Sequence, residues 1–173
     1  QRKGAVHGLE FEYQDRFGQR SWGVFSGELL EIEGAPCVLW ANQDITERKR
    51  AEERFAKAFN ANPNPMALFS LPDQRCVQIN HAWEALSGLT AGQVLGHTSS
   101  EINLWAAPGR RQEFYRLLEQ TGSVRDFEAD AILPNGQRQT FLLYAETLSL
   151  NGQPHLLTCS FDITERKRAE AAL

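Results

Sequence analysis

Asp44-Ile45-Thr46-Glu47-Arg48-Lys49-Arg50-Ala51-Glu52 decides how this chain is read, because the same nine residues return unchanged from Asp162 to Glu170. A shift of 118 residues, Asp44 to Asp162, aligns Glu10–Glu52 with Glu128–Glu170 without a gap. Outside the nine residues it pairs Glu10 with Glu128, Gly18-Gln19-Arg20 with Gly136-Gln137-Arg138, and Glu28 with Glu146. It also pairs Leu30 with Leu148, Gly34 with Gly152, Pro36 with Pro154 and Leu39 with Leu157. Gapless matching over that length marks a duplicated structural unit. The second copy has the whole of Phe55–Arg125 in front of it and the first has only a few residues, so the chain is expected to begin inside a domain.

What precedes each copy of the stretch reads as three strands. Leu9, Phe11 and Tyr13 alternate with Glu10, Glu12 and Gln14 over Leu9–Asp15, as a half-buried strand requires. Ser21–Ile32 and Cys37–Gln43 follow, separated by the turn Glu33-Gly34-Ala35-Pro36. At Asp44-Ile45-Thr46 the period becomes helical. Thr46 is expected to cap the helix and Glu47 to complement its positive end. The helix runs toward Asn60 with Ala51, Phe55, Ala58 and Phe59 on one stripe, and Asn62-Pro63-Asn64-Pro65 ends it.

The middle of the chain is different. Met66–Leu71 and Arg75–Ile79 read as a hairpin, Asn80 as the cap of a short helix carrying Trp83 and Leu86, and Gly88 as its stop. Thr90–Gly96 makes a single turn of helix, a loop holds Ile102, Leu104 and Trp105, and Arg110–Gln120 makes a longer helix with Phe114, Leu117 and Leu118 inward. Val124–Leu133, Gln137–Leu150 and His155–Phe161 repeat the three strands, and the last helix follows.

Composition narrows the function. With 18 Lys and Arg against 22 Asp and Glu, a net charge of −4, the chain lacks the clustered positive charge of a nucleic-acid surface. Cys37, Cys76 and Cys159 are odd in number and widely spaced, which supports neither a disulfide framework nor a zinc knuckle and suits a reducing, cytoplasmic compartment. No apolar run approaches the roughly 20 residues that span a bilayer, so any membrane anchor of the parent is expected elsewhere.

Two strands, several short helices, three strands and then Asp-Ile-Thr-Glu-Arg-Lys resemble the PAS (Per-Arnt-Sim) sensor domain, and the three-strand half with its exit motif resembles that family's PAC segment. The resemblance implies an α+β fold: a five-stranded antiparallel sheet with helices on one face, preceded by a three-stranded antiparallel half-domain and a linker helix. It divides the chain into 1–43, the C-terminal half of an upstream PAS domain; 44–61, a signalling linker helix; 62–163, a complete PAS domain; and 164–173, the start of an exit helix. It further implies a cavity for a small molecule and an effector outside this piece, such as the histidine kinases and diguanylate cyclases of bacterial two-component and related signal transduction.

No catalytic constellation accompanies the resemblance, and the chain is not expected to be an enzyme. His7, His81, His97 and His155 are scattered without carboxylates at ligand spacing, so no metal site is expected. His97, after Gly96 and before the longer helix, is poorly placed for haem. Light sensors of the family carry a cysteine in an Asn-Cys-Arg-type helix motif, where this chain has Gly96-His97-Thr98-Ser99-Ser100, which argues against a flavin-cysteine adduct. The cofactor is left unassigned.

What remains is the cavity. Phe127, Ala129, Ala131 and Leu133 alternate with Glu128 and Asp130 and are expected to face inward, the alanines leaving room. By resemblance Phe141, Leu143 and Ala145, then Leu156, Thr158 and Ser160, face the same space, with Thr158 and Ser160 orienting a ligand. Periodicity alone favours Leu157, Cys159 and Phe161 as the more apolar face of the last strand. Such a face would need a cover from the Ala51, Phe55 and Phe59 stripe or from a second protomer. An ordinary filled core, in a ligand-free dimerisation and spacer module, is the alternative.

Asp44 with Thr46, and Asp162 with Thr164, stand at strand-to-helix junctions where a few hydrogen bonds of about 1 kcal/mol each set a helix direction. Signal relay is expected there. Leu9, Phe11, Tyr13, Phe25, Val38 and Trp40 lie in a half-domain without its helices. Burial of each is worth roughly 1.5–3 kcal/mol, so a homodimer is expected to cover them.

Overall fold

The computed structural model describes residues 4–150 and 152–172. They form two compact units that divide between Lys57 and Ala58. In the first, β1 (Ala5–Gln14), β2 (Arg20–Ile32) and β3 (Ala35–Asp44) make an antiparallel sheet in the order β1-β2-β3, and α1 (Thr46–Ala61) leaves its last strand. The Glu33-Gly34 turn between β2 and β3 has φ +52 and +80. Positive φ at both central residues suits the right-handed twist of a hairpin, and glycine supplies one without strain.

β1 starts four residues earlier than the alternation of Leu9–Asp15 predicts, because a bulge between Val6 and Leu9 breaks the pattern at Gly8, φ +66. The duplicate strand has its bulge between Val124 and Phe127 around Asp126, φ +51. Gly8 and Asp126 are themselves 118 residues apart. The duplication therefore extends upstream of the last obvious sequence match, carried by backbone shape. Phe25 stacks on Trp40 at 6.4 Å and Phe11 lies against Tyr13 at 5.6 Å. Val38, Leu39 and Trp40 are still more than 60% exposed. Successive strand residues point to opposite faces, so β3 exposes apolar side chains on both of its faces.

In the second unit, β4 (Met66–Ser70), β5 (Cys76–Ile79), β6 (Ser123–Ile132), β7 (Arg138–Leu150) and β8 (Gln153–Asp162) form an antiparallel sheet in the order β5-β4-β8-β7-β6. The helices α2 (His81–Ser87), α3 (Ala91–Val94), α4 (Ser99–Ile102) and α5 (Pro108–Thr121) lie between β5 and β6 in sequence, and α6 (Thr164–Ala171) leaves β8. Phe114 and Leu118 of α5 pack with Phe69, Val124, Phe127 and Leu156 in the core between helix and sheet.

Two stretches differ from the sequence reading. Residues 98–106, expected as a loop, contain α4, whose Thr98 hydroxyl accepts from the Glu101 amide at 3.2 Å while the Glu101 carboxylate accepts from the Thr98 amide at 2.7 Å. This reciprocal cap is the Thr-x-x-Glu pattern itself. Leu104–Ala106 then lies along β6, with Ile132 N–H donating to Leu104 and Ala106 N–H to Asp130, which covers an otherwise open edge. On β8, Leu156 is 1% exposed and Phe161 38%. The apolar face favoured by periodicity is thus the outer one, and Leu156, Thr158 and Ser160 face the core, as the family resemblance implies.

Asn80 ties the unit's opening together. It is fully buried, and its amide Nδ2 donates to the carbonyls of Phe59 (3.1 Å), Asn62 (3.3 Å) and Asn64 (2.9 Å). Its Oδ1 accepts from the amides of Met66 and Trp83, both at 2.9 Å. Asn80→Ala would strand these buried groups without partners, and each costs about 1–3 kcal/mol. A fall in unfolding free energy of about 3 kcal/mol is expected on urea denaturation. Asn80→Asp, which faces three carbonyls without a donor, should lose at least as much, and a loss below about 1 kcal/mol for Asn80→Ala would remove Asn80 from this role.

Candidate functional site

Small side chains on the inner face of the second sheet open a space beneath the helices. Ala67, Thr158 and Ala145 stand abreast on β4, β8 and β7, and Ala129 faces Phe141 across β6 and β7. The helical side answers with large rings, Trp83 of α2, Trp105 beside β6, and Phe114 and Tyr115 of α5. Rings on one side and methyls on the other leave a cavity of about 140 Å³.

Ala129, Ala131, Phe141, Leu143, Thr158 and Ser160 all line it, together with Leu133 and Leu156. Phe127 does not. Although it is on the inward face, its ring packs edge-on to Phe114 at 5.5 Å, and Arg110 lies over its ring at 4.1 Å. Phe127 is a core residue, and so is Ala145, which was also expected to face the cavity; neither belongs to its wall. The helical wall went unnamed in the sequence reading: Ser87, Ser99, Ile102, Leu104, Trp105 and Tyr115 line the cavity. The Thr98-x-x-Glu101 capping pattern could have indicated that the stretch after Gly96, expected as a loop, contains a short helix.

The cavity's polar groups are few. Thr158 Oγ1 donates to the Ala67 carbonyl at 3.2 Å. Asp130 is turned to Arg138 and Thr140, whose hydroxyl donates at 2.7 Å. The Arg138 guanidinium and Thr140 hydroxyl together hold the Asp130 carboxyl below its usual range. Burial pushes the Cys76 thiol up to about 11, so it is an inert core thiol. His97 is exposed, and the described residues contain no cluster of His, Cys, Asp and Glu that could hold a metal.

The two junctions share one geometry. Asp162 Oδ1 accepts from the Thr164 amide at 2.8 Å, Thr140 N–H donates to Thr164 Oγ1 at 2.9 Å, and Ile163 N–H donates to the Thr140 carbonyl at 2.9 Å. In the first unit Asp44 Oδ1 accepts from Thr46 at 2.8 Å, Trp22 N–H donates to Thr46 Oγ1 at 2.9 Å, and Ile45 N–H donates to the Trp22 carbonyl at 2.9 Å. The roles differ from those expected. The aspartate satisfies the helix-start amide, and the threonine hydroxyl ties the helix to the strand paired with the one it leaves. The Thr46 hydroxyl and amide hold the Asp44 carboxyl below its usual range. A depressed native pKa gives a contribution present above the unfolded value near 3.8 and lost as pH falls through the native one.

A second tie repeats as well. Lys49 meets Glu10 at 2.6 Å, and Lys167 meets Glu128 at 2.8 Å. The sequence match of Glu10 with Glu128 therefore records a strand-to-helix ion pair. Of the proposed packing stripe, Phe59 is buried in the second unit, whereas Ala51 and Phe55 are exposed on α1.

A family model described as a PAS domain matches residues 63–165. Among solved structures, a PAS domain from a two-component sensor histidine kinase is 8% identical, with a TM-score of 0.57 over 66% of this chain and 98% of that one. A PAS domain from Colwellia psychrerythraea is 19% identical, with a TM-score of 0.56 over 67% and 99%. The Rhodobacter sphaeroides LOV protein is 17% identical, with a TM-score of 0.56 over 66% and 68%. No curated protein matches the chain in sequence. At such identities the structural likeness speaks for the fold, and the family match spans more than half of the chain. With a five-stranded antiparallel sheet, a cavity under short helices and an Asp-Ile-Thr exit, this chain belongs to the PAS domain family.

Proposed function

We propose that the chain is a sensory relay module: a small molecule occupies the cavity of the second unit, and its presence is transmitted through Asp162 and Thr164 to the helix that leaves β8. One observation carries this reading. The cavity wall and the exit tether are neighbours on the same two strands: Phe141 lines the cavity beside Thr140, whose amide holds Thr164, and Ser160 lines it two residues before Asp162. A shift of the inner face by a fraction of an ångström acts directly on hydrogen bonds worth about 1 kcal/mol each. Those bonds fix the first turn of the helix that leaves β8, from Thr164 onward, and so aim it.

Size limits the ligand. A cavity of about 140 Å³ compares with an engineered apolar cavity of about 150 Å³ that takes benzene, and lies below the roughly 300–1,000 Å³ of drug-sized sites. In this reading residues 62–163 are the sensor, 44–61 and 164–173 are the signalling helices, and 1–43 are the C-terminal half of another such domain. The output is a downstream effector such as a kinase or cyclase.

The bare sheet favours self-association. Val38, Leu39 and Trp40 expose apolar surface on both faces of a strand with an open edge, and such patches mark interaction sites. We assign them to a homodimer, in which α1 with Ala51 and Phe55 runs beside its partner.

Two measurements test these readings. In amide NMR with saturating benzene, shifts are expected at cavity residues and also at Thr140, Ile163 and Thr164, the latter set abolished in Thr164→Val. Shifts confined to the cavity would sink the relay. Light scattering at sub-millimolar concentration should give a dimer that Trp40→Glu converts to monomer, and a monomer in the unsubstituted chain rejects the assembly.

A further inference from the structure

We infer that the cavity's polar pole is a hydrogen-bond donor, so that its occupant is a small apolar molecule carrying one neutral carbonyl oxygen. The inference rests on the reading of the cavity as a ligand site and adds the chemistry of what it selects. It follows from counting protons on the side chains that face the space.

Arg111 Nε donates to Ser99 Oγ at 2.9 Å, and the Ser99 hydroxyl lies 3.4 Å from the Tyr115 hydroxyl. The Arg111 guanidinium also covers the Tyr115 ring at 4.6 Å and donates to Gln74 Oε1 at 3.0 Å. A guanidinium has no acceptor, so the serine oxygen must receive. The two hydroxyls own two protons, and a bond between them uses one. Whichever oxygen donates, the other hydroxyl keeps a proton. Their separation of 3.4 Å is long for such a bond, so a better acceptor arriving from the cavity competes well for either proton.

Ser87 repeats the pattern on the neighbouring wall. It is 5% exposed, its oxygen accepts from the Leu89 amide at 3.1 Å, and its own proton meets no protein acceptor among the described residues. On the opposite side the Ser160 hydroxyl also faces the space, as both donor and acceptor. Thr158 gives its proton to the Ala67 carbonyl, and the Asp130 carboxylate is held by Arg138 and Thr140. A buried donor without an acceptor is costly, and a carbonyl oxygen answers it. An ionised carboxylate would answer it too, but the remaining wall of Ile102, Leu104, Trp105 and Phe114 would leave most of that charge without solvation. A ligand that brings only donors would leave the protons of Ser87 and of the Ser99 and Tyr115 pair unanswered.

Cyclohexanone and methylenecyclohexane test this, since they share a shape and differ in C=O against C=CH2. Dissociation constants from NMR titration are compared for the unsubstituted chain and for a chain carrying Ser87→Ala, Ser99→Ala and Tyr115→Phe together. All three substitutions are needed because any of the three hydroxyls can serve as the donor. Cyclohexanone is expected to weaken on the order of 2- to 10-fold in the variant, with methylenecyclohexane unchanged within about twofold. Retained hydrocarbon binding also shows that the variant folds. If the two probes change together, or neither changes, the donor assignment is overturned while the cavity stands. If neither probe binds the unsubstituted chain, the ligand-site reading falls and the inference with it.

Discussion

A single buried amide holds the second unit in the form that makes its cavity. Asn80 gathers three carbonyls from the turn Phe59–Asn64, the first amide of β4 and the first turn of α2. Few side chains can do this, because the task needs two donors and an acceptor on one planar group without a charge. β4 is then placed to pair with β8, and α2 is placed to bring Trp83, Leu86 and Ser87 over the sheet. The cavity exists because this cap stands off from a floor of alanine, serine and threonine. A larger residue at Ala67 or Ala129 would close it, and a loosened Asn80 would let the cap settle.

The same amide binds the end of α1 to the cavity's helical wall, while Thr140 and Thr164 bind the sheet wall to the helix that leaves. Incoming and outgoing helices therefore each meet the cavity through neutral hydrogen bonds to backbone atoms. Such contacts are short in range and sensitive to direction, which suits small displacements. The ion pairs of Lys49 and Lys167 with their glutamates are partly exposed and screened. They bias the helices toward the sheet without fixing an angle.

Much of this was legible in the sequence because the chain contains its own comparison. The gapless offset identified the three-strand unit and placed the junctions, strand alternation put Ala129, Ala131 and Leu133 on the inward side, and the family resemblance added Phe141 and Leu143. Where legibility ended has particular physical causes. Phe127 obeys the alternation, yet facing inward does not decide whether a side chain fills a core or borders a void; that depends on Phe114 across from it. Thr46 and Thr164 looked like ordinary caps because a local pattern cannot report that a hydroxyl bonds a strand 24 residues earlier. Asn80 was read for one of its bonds, to Trp83, since the other partners come from segments distant in sequence. The bulge at Asp126 was hidden because it matches a glycine, and only backbone shape relates the two.

The duplicated junction has a consequence for how the chain assembles. The two nine-residue stretches are identical, and each finds a glutamate on the first strand of its duplicated three-strand unit and a paired N–H and C=O on the second. Nothing in the chemistry of the stretch can therefore tell one sheet from the other. Discrimination falls to connectivity: each helix follows its own third strand directly, so its effective concentration at that sheet far exceeds that at the duplicate. Correct pairing is thus a property of the order of synthesis and the shortness of the link. A break in the backbone just before either threonine would turn two distinct joints into interchangeable ones.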